Sequence, residues 1–140
     1  MIKKIILLSL IGLTIIIVFC LVLFTKPNQD TFTMEIITNS TEYPVNDNIN
    51  IQVYFRNNSI GFYKARFLNE KINLIISKEG EDVFLTQLAY FSSIFPFTTT
   101  HKEASIQISE PGYYDVKAYA EFSINGQTFT LEKNIILKIV

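Results

Sequence analysis

Cysteine, histidine and tryptophan are nearly missing from this 140-residue chain, which has one Cys, one His and no Trp. His101 has no second histidine to join it, and the only cysteine, Cys20, lies in an apolar run far from it in sequence. A nitrogen/sulfur metal centre and a Cys–His nucleophile pair are therefore excluded, and His101 is expected to be an exposed loop residue. A copper site wants several soft or imidazole ligands, and outside the N-terminal segment only Met34 and His101 are available. The glycines outside that segment are isolated, so no loop can cradle a phosphate. With no nucleophile–base pairing in view, the expectation is a non-enzyme with no catalytic, cofactor-binding or metal-binding residues. The rest of the chain has no disulfide available and must hold itself by packing.

Charge is absent altogether from Ile5 to Phe24, where only Ser9, Gly12, Thr14 and Cys20 depart from Ile, Leu, Val and Phe. A helix of that length is about 30 Å long, the thickness of a bilayer's hydrocarbon core. Lys3 and Lys4 precede the run, and behind it Lys26 is offset by Asp30. The positive-inside rule puts the N-terminus in the cytoplasm and the remainder outside it, on the cell membrane. The run is longer than the apolar region of a cleavable signal, and its end, Leu21-Val-Leu-Phe-Thr-Lys-Pro27, has no small-residue cleavage site. Phe19 also precedes Cys20 where lipoprotein processing needs a small residue. The expected organisation is a cytoplasmic tip (1–4), an uncleaved transmembrane helix (5–24), a linker (25–30) and one extracytoplasmic domain (31–140). Without Lys3 and Lys4, ten basic residues face thirteen acidic ones, a net charge of −3 that disfavours nucleic acid as a partner.

Beyond the linker the hydrophobic period is two. Ile49, Ile51, Val53 and Phe55 alternate with Asn50, Gln52, Tyr54 and Arg56, and Phe32, Met34 and Ile36 form an earlier, weaker alternation. Lys71–Ser77 and Val83–Tyr90 flank a turn centred on Gly80, and Ala104–Ser109 precedes a break at Glu110-Pro-Gly112. Tyr114 to Phe122 alternates again, and Asn125-Gly126 suits a type I′ hairpin onto Thr128–Ile139. Seven short strands in about 110 residues, with no helical period among them, predict an all-β sandwich.

Glu110-Pro-Gly-Tyr-Tyr-Asp-Val116 resembles the turn into strand F of immunoglobulin-type domains, acidic-x-Gly-x-Tyr-x-Cys. Tyr114 stands at the tyrosine-corner position, and Val116 stands where the cysteine would be. The strand C tryptophan is missing too. The pattern from 31 to 140 resembles the disulfide-free immunoglobulin-like domains of bacterial surface proteins. That resemblance implies a seven-stranded immunoglobulin-like sandwich following the transmembrane helix.

Several smaller features remain. Glu79, Glu81 and Asp82 share one turn and read as a solvated hairpin tip rather than a calcium site. Asn39-Ser-Thr41 and Asn57-Asn-Ser59 match the glycosylation sequon. Two loops are unusually aromatic: 57–67, with Phe62, Tyr63 and Phe67, and 91–102, with Ile94, Phe95, Pro96 and Phe97. Such residues either plug the open end of a small sandwich or form a contact surface. With Val83–Tyr90 read as strand D, these two loops are the B–C and D–E loops, which in immunoglobulin topology lie at the end where the anchor enters. A six-residue linker spans at most about 20 Å. Phe62, Tyr63, Ile94, Phe95 and Phe97 are thus the candidate membrane-proximal contact. The expected function is a membrane-anchored accessory protein that binds another protein, as one subunit of a membrane complex. The alternative is an extracytoplasmic inhibitor or regulator of an enzyme such as a protease. If the apolar run spans the bilayer, the full chain will stay with membranes through an alkaline wash, and removal of residues 1–24 will release it. Extraction of the full chain by the wash would contradict the span.

Overall fold

The structure is a computed structural model that describes residues 2–67, 72–88 and 92–140. Helix α1 (Ile2–Phe24) is followed by a 3₁₀ turn (Gln29–Thr31) and eleven strands among the described residues. They are β1 (Phe32–Thr38), β2 (Glu42–Tyr43), β3 (Asn48–Asn57), β4 (Tyr63–Lys64), β5 (Arg66–Phe67) and β6 (Ile72–Lys78). β7 (Glu81–Leu88), β8 (Ser93–Ile94), β9 (Thr99–Gln107), β10 (Gly112–Ile124) and β11 (Gln127–Ile139) complete the chain. The seven longer strands correspond to the seven expected. The four two-residue strands are too short to leave a periodic signal. Lys71, at the start of one expected strand, and Ala89, Tyr90 and Phe91, at the end of another, lie outside the described residues.

One sheet has the order β1-β3-β9, and the other β2-β11-β10-β6-β7, with β5 also on β10. The short strands β4 and β8 pair with each other. Alternation explains the layering. β1 reads buried–exposed in strict succession, and Ile49, Ile51, Val53, Phe55 and Asn57 of β3 turn inward together. Val116, Ala118, Ala120, Phe122 and Ile124 face them from β10. The small residues Ala118 and Ala120 let the two sheets approach where large side chains on the facing sheet need room. The core is graded along its length. Near the end where α1 enters, Phe32 contacts Phe55, Tyr63, Phe122 and Phe129 at ring-centroid distances of 5.2–5.7 Å. Further along it becomes aliphatic, with Ile49, Ile51, Leu74, Ile76 and Leu137.

Both expected hairpin turns are present. Asn125 and Gly126 have φ of 51° and 81°, and Glu79 and Gly80 have 54° and 87°, as type I′ turns require. The tyrosine corner is present as well: the buried Tyr114 hydroxyl donates to the Glu110 carbonyl at 3.0 Å. Val116, at the cysteine position of the resemblance, is completely buried.

Two expectations need correction. The strand after the Gly80 turn, read as D, pairs with β6 in the larger sheet and so occupies the C′ position. A two-residue turn folds a strand straight back onto its neighbour, which leaves no chain for crossing between sheets. The strand expected from Ala104 starts at Thr99, because Thr99–Lys102 pair with Val53–Arg56. His101 therefore sits on a strand, where it stacks on Tyr54 at 5.2 Å, and not in a loop.

Phe32 lies at the junction of both sheets, so Phe32→Ala will lower stability by about 3–5 kcal/mol, as cavities of this size do. Chemical denaturation checks this, and a loss under 1 kcal/mol would mean that the aromatic end of the core is not close-packed.

Candidate functional site

The end of the sandwich nearest α1 is built from two loops clamped together. Asn57, fully buried at the end of β3, donates through Nδ2 to the Gly61 carbonyl and to the Phe95 carbonyl, both at 2.9 Å. Its Oδ1 accepts from the Ser59 N–H (2.9 Å) and the Ser59 hydroxyl (3.0 Å). Ser59 Oγ also lies 2.9 Å from the Tyr63 hydroxyl, and the Ser59 carbonyl accepts from the Phe97 N–H at 3.0 Å. A Cβ on Gly61 would come within 2.1 Å of the Tyr63 hydroxyl oxygen, so only glycine lets that ring close over the backbone. One amide side chain thus ties the β3–β4 connection to the segment before β9.

α1 is fastened to the same end. The Phe62 N–H donates to the Val22 carbonyl at 3.0 Å, and the linker is folded rather than free. Thr25 N–H returns to the Leu21 carbonyl (3.1 Å), and the Thr31 hydroxyl accepts from the Asn28 N–H (2.8 Å).

This geometry divides the five candidate contact residues. Tyr63 and Ile94 are paired across β4 and β8 and are each only 3% exposed, so they belong to the core and not to a contact surface. Their pairing caps the aromatic end, and apolar surface there is worth more inside than in water. Phe62 is partly buried, with its ring 5.2 Å from that of Phe95. Phe95 and Phe97 are 56% and 63% exposed. Phe97 has φ of 49°, a left-handed conformation that costs a bulky residue on the order of 1–3 kcal/mol.

A second exposed apolar feature lies on the flank. β7 ends its sheet, and Val83 and Leu85 are 53% and 61% exposed on it. Beside it a cavity of about 270 Å³ opens between β7 and β9, lined by Ile76, Val83, Phe84, Ile106, Ile108 and Tyr114 among others. The only ionisable carboxylate on that lining is Glu110, and it is engaged by Lys78 at 3.0 Å. Lys78 Nζ also lies 5.5 Å from the centre of the Tyr114 ring. The hydrogen bond to Glu110 raises the Lys78 pKa above its ordinary value, and that to Glu42 does the same for Lys138. Partial burial and the Glu121 carboxylate hold the Tyr119 phenol above its ordinary value.

Among the described residues no three His, Cys, Asp or Glu side chains converge as a metal site would require, and this includes the Glu79, Glu81 and Asp82 turn. The two sequons differ. Asn39 is exposed, whereas the Asn57 side chain is buried with its amide nitrogen committed, so a glycan there is incompatible with the fold.

Sequence reasoning missed Asn57 and the β7 flank. An asparagine continuing the inward face of β3 was the available signal for the first.

No known protein family and no curated protein matches the chain. Among solved structures it is similar to Northeast Structural Genomics Consortium target SoR45, with 17% identity, TM-score 0.56, and coverage of 81% of this chain and 90% of that one. It is also similar to Spo0M, a sporulation control protein from Bacillus subtilis (13%, TM-score 0.54), over 78% of this chain and 49% of that one, about half its length. The CARDB domain of PF1109 from Pyrococcus furiosus, solved in complex with di-metal ions, matches at 16% identity and TM-score 0.50, over 83% and 95%. At these identities the likeness is one of fold, an immunoglobulin-like β-sandwich.

Asn57→Asp keeps the shape but removes both Nδ2 donations and sets a carboxylate against two carbonyls. It will destabilise the domain by at least about 2 kcal/mol and speed amide exchange in residues 57–63 and 92–98. Exchange unchanged in either segment would show that Asn57 is not the clamp.

Proposed function

We propose that this chain is a non-enzymatic, membrane-anchored accessory protein whose immunoglobulin-like domain binds another protein outside the cytoplasm. α1 is long and apolar enough to cross a bilayer, by length and composition. With Lys3 and Lys4 inside, the sandwich stands on the outer surface as part of a membrane complex.

The observation that carries the protein-binding reading is the β7 edge. An eight-residue edge strand offers a row of backbone donors and acceptors, which soluble domains usually blunt with charge, proline or a covering element. Here charge is confined to Glu81 and Asp82 at its start, and Val83 and Leu85 stand exposed beside the cavity between β7 and β9. A partner's extended segment added along β7 would complete the backbone bonding and cover both side chains. The absence of a strand paired to the outer edge of β9 among the described residues leaves that side of the sandwich open. The fold likeness to Spo0M and to a CARDB domain is compatible with an accessory role and goes no further.

A photo-crosslinking residue placed at Leu85 in the full chain, in its own cells, will give one discrete adduct. The same residue at the exposed Asn39 will not, and Val83→Lys will abolish the adduct from position 85. Adducts of equal yield from both positions, or none from position 85, would overturn the assignment of β7 as the binding edge.

A further inference from the structure

The end of the domain where α1 enters carries an exposed aromatic pair and a set of cations, and we infer that it seats on an anionic lipid surface. In this seat Phe95 and Phe97 lie among the headgroups. The inference rests on the proposal that α1 spans the bilayer; it concerns lipid, whereas β7 was assigned to a protein.

Depth is the first argument. Val22 lies two residues before the end of α1, so its carbonyl is about 3 Å inside the span's end. The Phe62 N–H is bonded to that carbonyl at 3.0 Å, which brings the β3–β4 connection to the depth of the last helical turn. The headgroup layer extends about 5–7 Å beyond the hydrocarbon on each side. A loop held level with the last helical turn therefore meets the boundary between hydrocarbon and headgroups. The Phe95 ring, 5.2 Å from that of Phe62, is carried there with it.

The second argument is the conformation of Phe97. Its N–H is fixed to the Ser59 carbonyl and its backbone is left-handed, so the exposed ring is held away from the core in a strained geometry. Water offers no return for that strain, and an apolar interface does.

Charge is the third. Within two strand positions of this end, and in the linker and loops there, the described residues include Lys26, Arg56, Lys64 and Arg66, all exposed, against Asp30. By the same measure the opposite end carries Glu42, Asp47, Glu79, Glu81, Asp82 and Glu110. Its cations, Lys78 and Lys138, are each ion-paired to a carboxylate, Glu110 and Glu42. A domain of net negative charge thus turns its positive end to the bilayer, where basic residues bind anionic headgroups.

The chain has no tryptophan, so Phe97→Trp and, separately, Phe95→Trp each place a single reporter in the full-length protein. Each variant is reconstituted into vesicles of phosphatidylcholine, alone or mixed two to one with phosphatidylglycerol, with matched lipids brominated in the upper acyl chain. The expected result is blue-shifted emission that the brominated lipids quench, more strongly with phosphatidylglycerol present. Val83→Trp, on the flank, will emit as in water and stay unquenched. Replacing Arg56, Lys64 and Arg66 together by Gln will remove the dependence on phosphatidylglycerol. Water-like, unquenched emission at 95 and 97 in vesicles that retain the chain overturns the inference alone. The same holds if the blue shift arises only in native membranes, where a protein would be the occupant. If the chain fails to float with the vesicles, the spanning proposal falls and the inference with it.

Discussion

Everything in this molecule depends on how soon a close-packed core begins after an apolar helix. α1 ends at Phe24, and Phe32, 2% exposed, already stands at the centre of the aromatic cluster. Between them the chain turns through Gln29–Thr31, with Asn28 and Thr31 bonded to each other. The linker is thus folded, and the Phe62–Val22 hydrogen bond ties the sandwich to the helix. Most linkers of this length act as tethers, but a folded one transmits orientation.

The aromatic grading of the core follows from that junction. Rings bury large areas, and here they gather at the end where the chain enters and the two long connections meet. The aliphatic half lies towards the tyrosine corner and the Gly80 turn. Among the described residues, Asn57 is the one polar side chain admitted fully to the interior besides the nearly buried Thr31. It is tolerated because all of its hydrogen-bonding capacity toward the two loops is used. It converts two aromatic segments, distant in sequence, into a single surface.

Surfaces divide along the same axis. The helix end holds exposed rings and cations, the far end holds a cluster of carboxylates, and the β7 edge, unpaired among the described residues, runs between them. With this separation, the two proposed contacts, one with lipid and one with protein, do not occlude each other.

Much of this was legible beforehand because it depends on local pattern. The uncharged run from Ile5 to Phe24 specifies a helix long and apolar enough to cross a bilayer. The period of two specifies strands and their inward faces, and Glu110 to Val116 specifies the tyrosine corner. Asn125-Gly126 and Gly80 specify hairpins, since few residues accept a positive φ. What lay out of reach were properties of pairs far apart in the chain. Tyr63 and Ile94 look like loop residues until β4 meets β8. Asn57 is an ordinary polar residue until Gly61 and Phe95 present their carbonyls to it. Strand β7 is C′ or D depending only on which sheet receives it. The sequence by itself determined the long apolar helix, the strands and their inward faces. Only the tertiary structure decided which aromatics fill the core and which are left to make contact, because burial is settled by long-range packing that no local period encodes.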